Sequence, residues 1–285
     1  MSTDTGISWC DSTWNPLVGC ARVSGGCAAC YAIPNAHRLA GNPYPKVSQA
    51  YAGLVERHGN GQLDWTGQVR FLEERLEQPL HWKQPRRIFV NSMSDCFHAD
   101  VHRQWLADIW SVMQQCPQHQ FLILTKRPVR MQTWAQDWGE PLRNVWLGVS
   151  CENQATADTR IPLLLQTPAA LRFVSYEPAL ASVDFRQIRL RHQRQVIETV
   201  DALYGHGMHY TGALGYCAHL DWVICGGESG ADARPFDRAW LRRVVQDCQE
   251  AGVPVWVKQD AGPRPGHQGR IPDALWVHEL PQSGA

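Results

Sequence analysis

"NVWLGVSCEN", residues 144–153, holds the pattern on which the fold turns. Val145, Trp146, Leu147 and Val149 follow one another with hardly a polar residue between them, and Ser150, Glu152 and Asn153 then close the run. A half-buried strand alternates apolar and polar residues. A short run without alternation describes a strand covered on both faces, as in a parallel sheet flanked by helices. The same design recurs in "RIFVNSMSD" (87–95), "QFLILTKRP" (120–128), "LRFVSYEP" (171–178), "DWVICGGES" (221–229) and "VPVWVKQD" (253–260). "GISW" (6–9) and "ALWVHEL" (274–280) read as a first and a last strand.

Helical patterns fall between these runs. "DVHRQWLADIWSVMQQC" (100–116) places Val101, Trp105, Ile109, Val112 and Cys116 near one face, with Asp100 as the expected N-cap. "DRAWLRRVVQDCQEAG" (237–252) starts at Asp237, carries Leu241, Val244, Val245 and Cys248 inward, and stops at Gly252. Residues 36–58 and 66–82 also read as helical. Strand and helix in alternation predict an α/β fold with a parallel sheet and right-handed crossovers, a complete or partial β/α barrel of TIM type. The expectation is a single domain over residues 1–285. One interval is too long for a simple crossover, and residues 186–219 are read as an insertion, a lid or a partner-docking arm. It includes the basic "RQIRLRHQR" (186–194) and the Gly/His/Tyr-rich "YGHGMHYTGALGY" (204–216).

Composition narrows the classes. The chain has 285 residues, 44% of them hydrophobic, which is enough for a sizeable core and argues against disorder. Its formal net charge is zero, so no global field gathers nucleic acid or anionic membrane. No apolar stretch reaches the roughly 20 residues a membrane helix needs, and no basic start is followed by an apolar run. A cytoplasmic location is expected, where ten cysteines are reduced rather than paired. Cys116, Cys225 and Cys248 sit in apolar patterns and read as small core residues.

Three other cysteines stand apart. In "NPLVGCARVSGGCAACYAIPNAHR" (15–38), Cys20, Cys27 and Cys30 lie close together on a glycine-bearing loop with no acidic residue. Six residues separate the first two and two separate the last two. An iron–sulfur cluster is the favoured use, because such clusters take thiolates at short spacings, and three ligands leave one iron of a [4Fe–4S] cube open. A structural zinc with Cys10 or His37 as fourth ligand, and a redox pair of Cys27 and Cys30, are the alternatives. In β/α barrels chemistry sits at the C-terminal strand ends. Here those ends carry Asn91, Ser92, Asp95, His98, Lys126, Arg127, Glu152, Glu177, Glu228 and Lys258. A plain polar rim of salt bridges is the competing explanation for each.

These stretches resemble a known family. "WNPLVGCARVSGGCAACYA" (14–32) is similar to the signature of a phage- and bacteria-associated three-cysteine-motif family of unknown function, whose members carry W-N-P, then G-C, then S-x-G-C-x-x-C-Y-A. "VWLGVSCENQ", "RFVSYEPAL", "DWVICGGESG" with "ARP" after it, and "VPVWVKQDAG" match in order, so the resemblance spans nearly the whole chain outside the insertion. The family is described as radical-SAM-like. That implies a [4Fe–4S] cluster on Cys20, Cys27 and Cys30, with S-adenosylmethionine at the open iron. It further implies that Asn91, Ser92 and Asp95 meet the ribose or methionine end of that cofactor, and that Lys126 or Arg127 meets a carboxylate or phosphate. Glu177, Glu228 and Lys258 would contact substrate or move protons. The substrate stays open among a nucleotide, a nucleic acid and a peptide, and the resemblance leaves room for a protein partner encoded nearby; no membrane is expected.

Two other classes compete. A metal-dependent hydrolase would use Asp95, His98, Glu177 and Glu228 as hard ligands. A non-enzymatic nucleic-acid module with a structural metal site would use some of the 13 tryptophans for stacking and "KQPRR" (83–87), "KRPVR" (126–130) and residues 186–194 for phosphate.

Overall fold

The computed structural model describes residues 5–192, 195–209, 214–216 and 218–282. The chain divides into two compact units, Met1–Thr125 with Leu142–Val145, and Lys126–Pro141 with Trp146–Ala285. Gln193, Arg194 and residues 210–213 of the expected insertion lie outside the described residues, as does Cys217.

In the first unit three strands run parallel in the order β1 (Ser12–Trp14), β6 (Arg87–Val90), β7 (Gln120–Thr125). Between β1 and β6 the chain builds β2 (Leu17–Val18), α1 (Ala32–Ala40), α2 (Pro45–Tyr51), β3 (Val55–Arg57), β4 (Leu63–Trp65) and β5 (Arg70–Phe71). β2 pairs with β5 and β3 with β4, both antiparallel. Helix α3 (Arg103–Gln115) connects β6 to β7 and buries Leu106, Ile109, Val112 and Met113. A second core cluster joins Val18, Ala32, Ile33, Ala36, Tyr51, Leu54 and Trp65. Each fully buried aliphatic or aromatic side chain contributes about 1.5–3 kcal/mol.

In the second unit α4 (Pro128–Ala135), β8 (Val145–Ser150), α5 (Gln154–Leu165) and β9 (Leu171–Tyr176) alternate, followed by β10 (Ile188–His192), β11 (Gln195–Asp201), β12 (His206–His209) and β13 (Leu214–Tyr216). Then come β14 (Trp222–Gly226), α6 (Arg238–Ala251) and β15 (Val255–Gln259). β8, β9, β14 and β15 lie parallel in that order. The long interval before β14 folds as an antiparallel sheet, β10-β11-β12-β13.

All six central runs are strands, and every residue of β8 is buried. Asn153, the last residue of the opening stretch, caps α5 by a reciprocal pair of bonds with Thr156. Asp237 caps α6, and Gly252 ends it with φ +69°. Together these elements make a mixed α/β chain of parallel βα units. Among the described residues no helix is long and apolar enough to cross a membrane.

Five local expectations are corrected. The first strand is Ser12–Trp14, not residues 6–9, because Gly6 takes a left-handed φ of +64° and pairing with β6 begins at Ser12. Residues 36–58 hold two helices and a strand: Gly41 closes α1, Pro45 opens α2, and Gly53 at φ +74° turns the chain into β3. Residues 66–82 form β5 and two 3₁₀ turns, with Pro79 near the start of the second. Helix α3 begins at Arg103 with His102, not Asp100, as its N-cap. Residues 274–280 are not a regular strand. His278 makes a single antiparallel bridge to Trp256, and Val257 N–H and Glu279 N–H donate to Val277 O and Val255 O across the outer side of β15.

Candidate functional site

The cysteine loop is built outward from the strand ends of the first unit. Asn91, directly after β6, has φ +60°, a left-handed conformation that asparagine tolerates better than most residues. From there its Oδ1 accepts from Leu17 N–H at 3.1 Å, and its Nδ2 donates to Cys96 Sγ at 3.0 Å. Asn15 Oδ1 accepts from Ser92 Oγ at 3.2 Å and Met93 N–H at 3.0 Å. The chain thus enters the loop at a fixed angle. Gly19 follows at φ +91°, and its N–H donates to Met93 O at 3.1 Å.

Residues Gly25–Cys27 form one 3₁₀ turn, and α1 starts at Ala32. Tyr31 anchors the exit by donating its hydroxyl to Ser92 O at 2.7 Å. Two of the expected cofactor residues, Asn91 and Ser92, therefore hold both ends of the cysteine loop. Arg22 crosses its middle, with Nη1 donating to Cys27 O at 2.5 Å and Ala28 O at 2.7 Å, and Nε to Asp64 Oδ1 at 2.6 Å.

Cys20, Cys27 and Cys30 are half-buried and make no disulfide. Cys20 and Cys30 pack against the second core cluster, and Val23 N–H reaches Cys27 Sγ at 3.5 Å. The other six described cysteines are buried. Burial pushes the Cys10 thiol up to about 11 and the Cys96 thiol up to about 12. It raises Cys116, Cys151, Cys225 and Cys248 as well. Those six are core residues, inert as nucleophiles or ligands. Among the described residues no group of three His, Cys, Asp or Glu side chains is gathered so that it could hold a metal ion. The loop itself carries three soft thiols and no carboxylate, the donor chemistry that iron–sulfur clusters take, but its sulfurs are not gathered into a site.

Asp95 and His98 are engaged within their own unit. The Asp95 carboxylate accepts from Thr125 Oγ1 at 2.8 and 2.9 Å and from Phe97 N–H at 2.9 Å. His98 Nδ1 accepts from Asp100 N–H at 3.2 Å.

In the second unit each parallel strand ends on a carboxylate with a cationic partner. After β8, Glu152 is 1% exposed; Arg160 Nη1 reaches its two oxygens at 3.2 and 3.3 Å, and Lys126 Nζ lies 3.9 Å away. Arg127 sits at the N-cap of α4. After β9, Glu177 Oε1 pairs with Lys258 Nζ at 3.2 Å. Gly226 makes room for that carboxylate, since a Cβ there would lie 2.8 Å from Glu177 Oε1. After β14, Arg234 grips Glu228 through Nε at 2.8 Å, Nη2 at 2.5 Å and its backbone N–H at 3.0 Å. After β15, Arg270 grips Asp260 at 2.8 and 2.9 Å. Burial works to raise both Glu228 and Asp260, but the arginine and backbone donors outweigh it and hold each below the usual carboxylate range.

Of these partners, Lys126 and Lys258 are legible in the sequence, whereas the arginines are not. Arg22, Asp64, Arg160, Arg234 and Arg270 lie in no apolar pattern and no metal-like spacing. Only "HGNGQ" (58–62), a turn signal between Val55–Arg57 and Leu63–Trp65, pointed to the hairpin that carries Asp64.

No curated protein and no solved structure matches the chain. Residues 4–271 match a family model described as a protein of unknown function (DUF5131), and the chain belongs to that family.

Proposed function

We propose that the chain is an iron–sulfur enzyme of radical-SAM type, with a [4Fe–4S] cluster on the thiolates of Cys20, Cys27 and Cys30. Support comes from one contrast. These three thiols are half-buried on a carboxylate-free loop clamped by Arg22, while the other six described cysteines are buried with raised thiols where the shift is resolved. When bound, a cluster of this kind supplies one-electron reduction of S-adenosylmethionine, which starts radical chemistry on a substrate. The chain's own part is to present thiolates at one loop, with Asn91 and Ser92 fixing its ends. Because the sulfurs are not gathered beforehand, the loop closes as it takes up metal, and loading couples to local ordering.

Glu177 and Lys258, joined by a single contact, can change partners when substrate arrives. Glu228, held through three bonds to Arg234, serves to fix the end of β14. Lys126 and Arg127 supply cationic character for a phosphate or carboxylate. A nucleotide or nucleic-acid substrate, a protein partner, a TIM-like barrel and a phage association complete the proposal: the barrel rests on the alternation of strands and helices, the nucleic-acid substrate on the basic stretches, and the partner and phage association on the resemblance of the motifs.

Anaerobic reconstitution tests it. About four irons per chain are expected, with a change in the reduced cluster's EPR spectrum on adding S-adenosylmethionine. A loaded cluster whose spectrum ignores that cofactor would remove the radical chemistry, and failure to load iron would remove the cluster.

A further inference from the structure

We propose that Arg22 is the positioning residue of the cysteine loop, and that the β3–β4 hairpin serves as its foundation. The part of this proposal that concerns iron rests on the cluster reading above; the part that concerns the loop does not.

The 3₁₀ turn Gly25–Cys27 is a single turn whose last carbonyls lie on the loop ahead of α1. Arg22 meets two of them, at Cys27 and Ala28, with one guanidinium nitrogen. Its Nε takes Asp64, and Nη2 approaches Leu63 O at 3.4 Å. Asp64 is itself oriented, because its Oδ1 also accepts from Trp65 N–H at 2.7 Å. Burial acts to raise the Asp64 carboxyl, but the bonds from Arg22 and from Trp65 N–H hold it below the usual range. Trp65 is 8% exposed and belongs to the core cluster against which Cys20 and Cys30 pack. A chain of contacts therefore runs from core to Trp65, to Asp64, to Arg22, and on to the backbone of Cys27.

Only arginine satisfies this arrangement. Its planar fork reaches two carbonyls and a carboxylate together, whereas lysine brings a point charge on a flexible stem. Residues 55–65 form a hairpin, and its second strand carries Asp64 into reach of the loop. A fixed cation beside the backbone of Cys27 would also favour the more negative, reduced state of a bound cluster.

The experiment compares wild type with Arg22→Gln, Arg22→Lys and Asp64→Asn. Apo-proteins are followed by amide hydrogen exchange over residues 20–31, and reconstituted proteins by iron release to a chelator and by reduction potential. Arg22→Gln should speed exchange at Cys27 and Ala28 about tenfold, release iron about tenfold faster, and shift the potential to more negative values. Arg22→Lys should return the potential towards wild type while exchange and release stay fast. Asp64→Asn, which keeps the fold and the cation, should fall between. Wild-type exchange in Arg22→Gln, or wild-type exchange and release in Arg22→Lys, would overturn the proposal. Wild type that takes up no iron, with exchange responding as described, would end the cluster reading and leave the clamp standing.

Discussion

The cysteine loop and the carboxylate-bearing strand ends of the second unit both place reactive groups at the ends of parallel strands, yet they use them differently. At the strand ends every carboxylate has a cationic partner within 4 Å, and Glu152 is almost wholly buried with Arg160. On the loop, backbone carbonyls and side-chain amides make tight contacts, and Cys20 Sγ reaches Ala21 O, and Val23 N–H reaches Cys27 Sγ, at 3.5 Å each. Tight pairing serves structure. A half-buried set of soft donors on a tightly held backbone is what the proposed cluster would need.

The largest effect that would break this comparison is on metal content. Serine at Cys20, Cys27 or Cys30 should abolish iron loading, read as iron per chain, while costing about 1 kcal/mol of apo-protein stability or less. Next comes Glu152→Ala. Removing this carboxylate leaves Arg160 buried without its counter-charge, and denaturant unfolding should show a loss of about 3–5 kcal/mol. If the two outcomes were exchanged, with iron lost at Glu152 and stability lost at Cys20, the comparison would be reversed. Gly226→Ala is expected to cost about 1–3 kcal/mol, because its Cβ must displace the Glu177 carboxylate.

A smaller effect is the response to acid. Asp11, Asp64, Glu228 and Asp260 are held below their ordinary values in the folded chain, with arginine donors overcoming burial in each case. Unfolded carboxylates titrate near 3.9–4.3. The stability these groups contribute is therefore complete above that range, and it drains away as pH falls through their lowered native values. Asp247 opposes the trend slightly, since burial raises it more than Arg243 lowers it. Unfolding free energy measured from pH 6 downward should begin to fall near pH 4.

The parallel strands were legible because a strand covered on both faces leaves an unbroken apolar run, as residues 145–149 do. Capping was legible at Asp237 and Gly252, where one residue decides the outcome. Residues 66–82 misled because Leu72, Leu76 and Leu80 recur at helical spacing, whereas Pro79 and the pairing of Arg70–Phe71 with Leu17–Val18 decide against a helix. Of the candidate site, residue types were readable and pairings were not. Nothing in the sequence ties Arg22 to Asp64, 42 positions on, or Arg160 to Glu152 rather than to solvent. Such pairings arise only once the strands fix the geometry.

The C-terminal stretch that crosses β15 has a practical meaning for handling the protein. By lending Val277 O and Glu279 N–H to β15, it occupies backbone positions that a bare outer strand would offer to any neighbouring chain. Removing residues 276–285 would lay that border open, and the shortened chains should stick to one another strand against strand, seen as oligomers in size-exclusion chromatography where the full-length chain elutes as a smaller species.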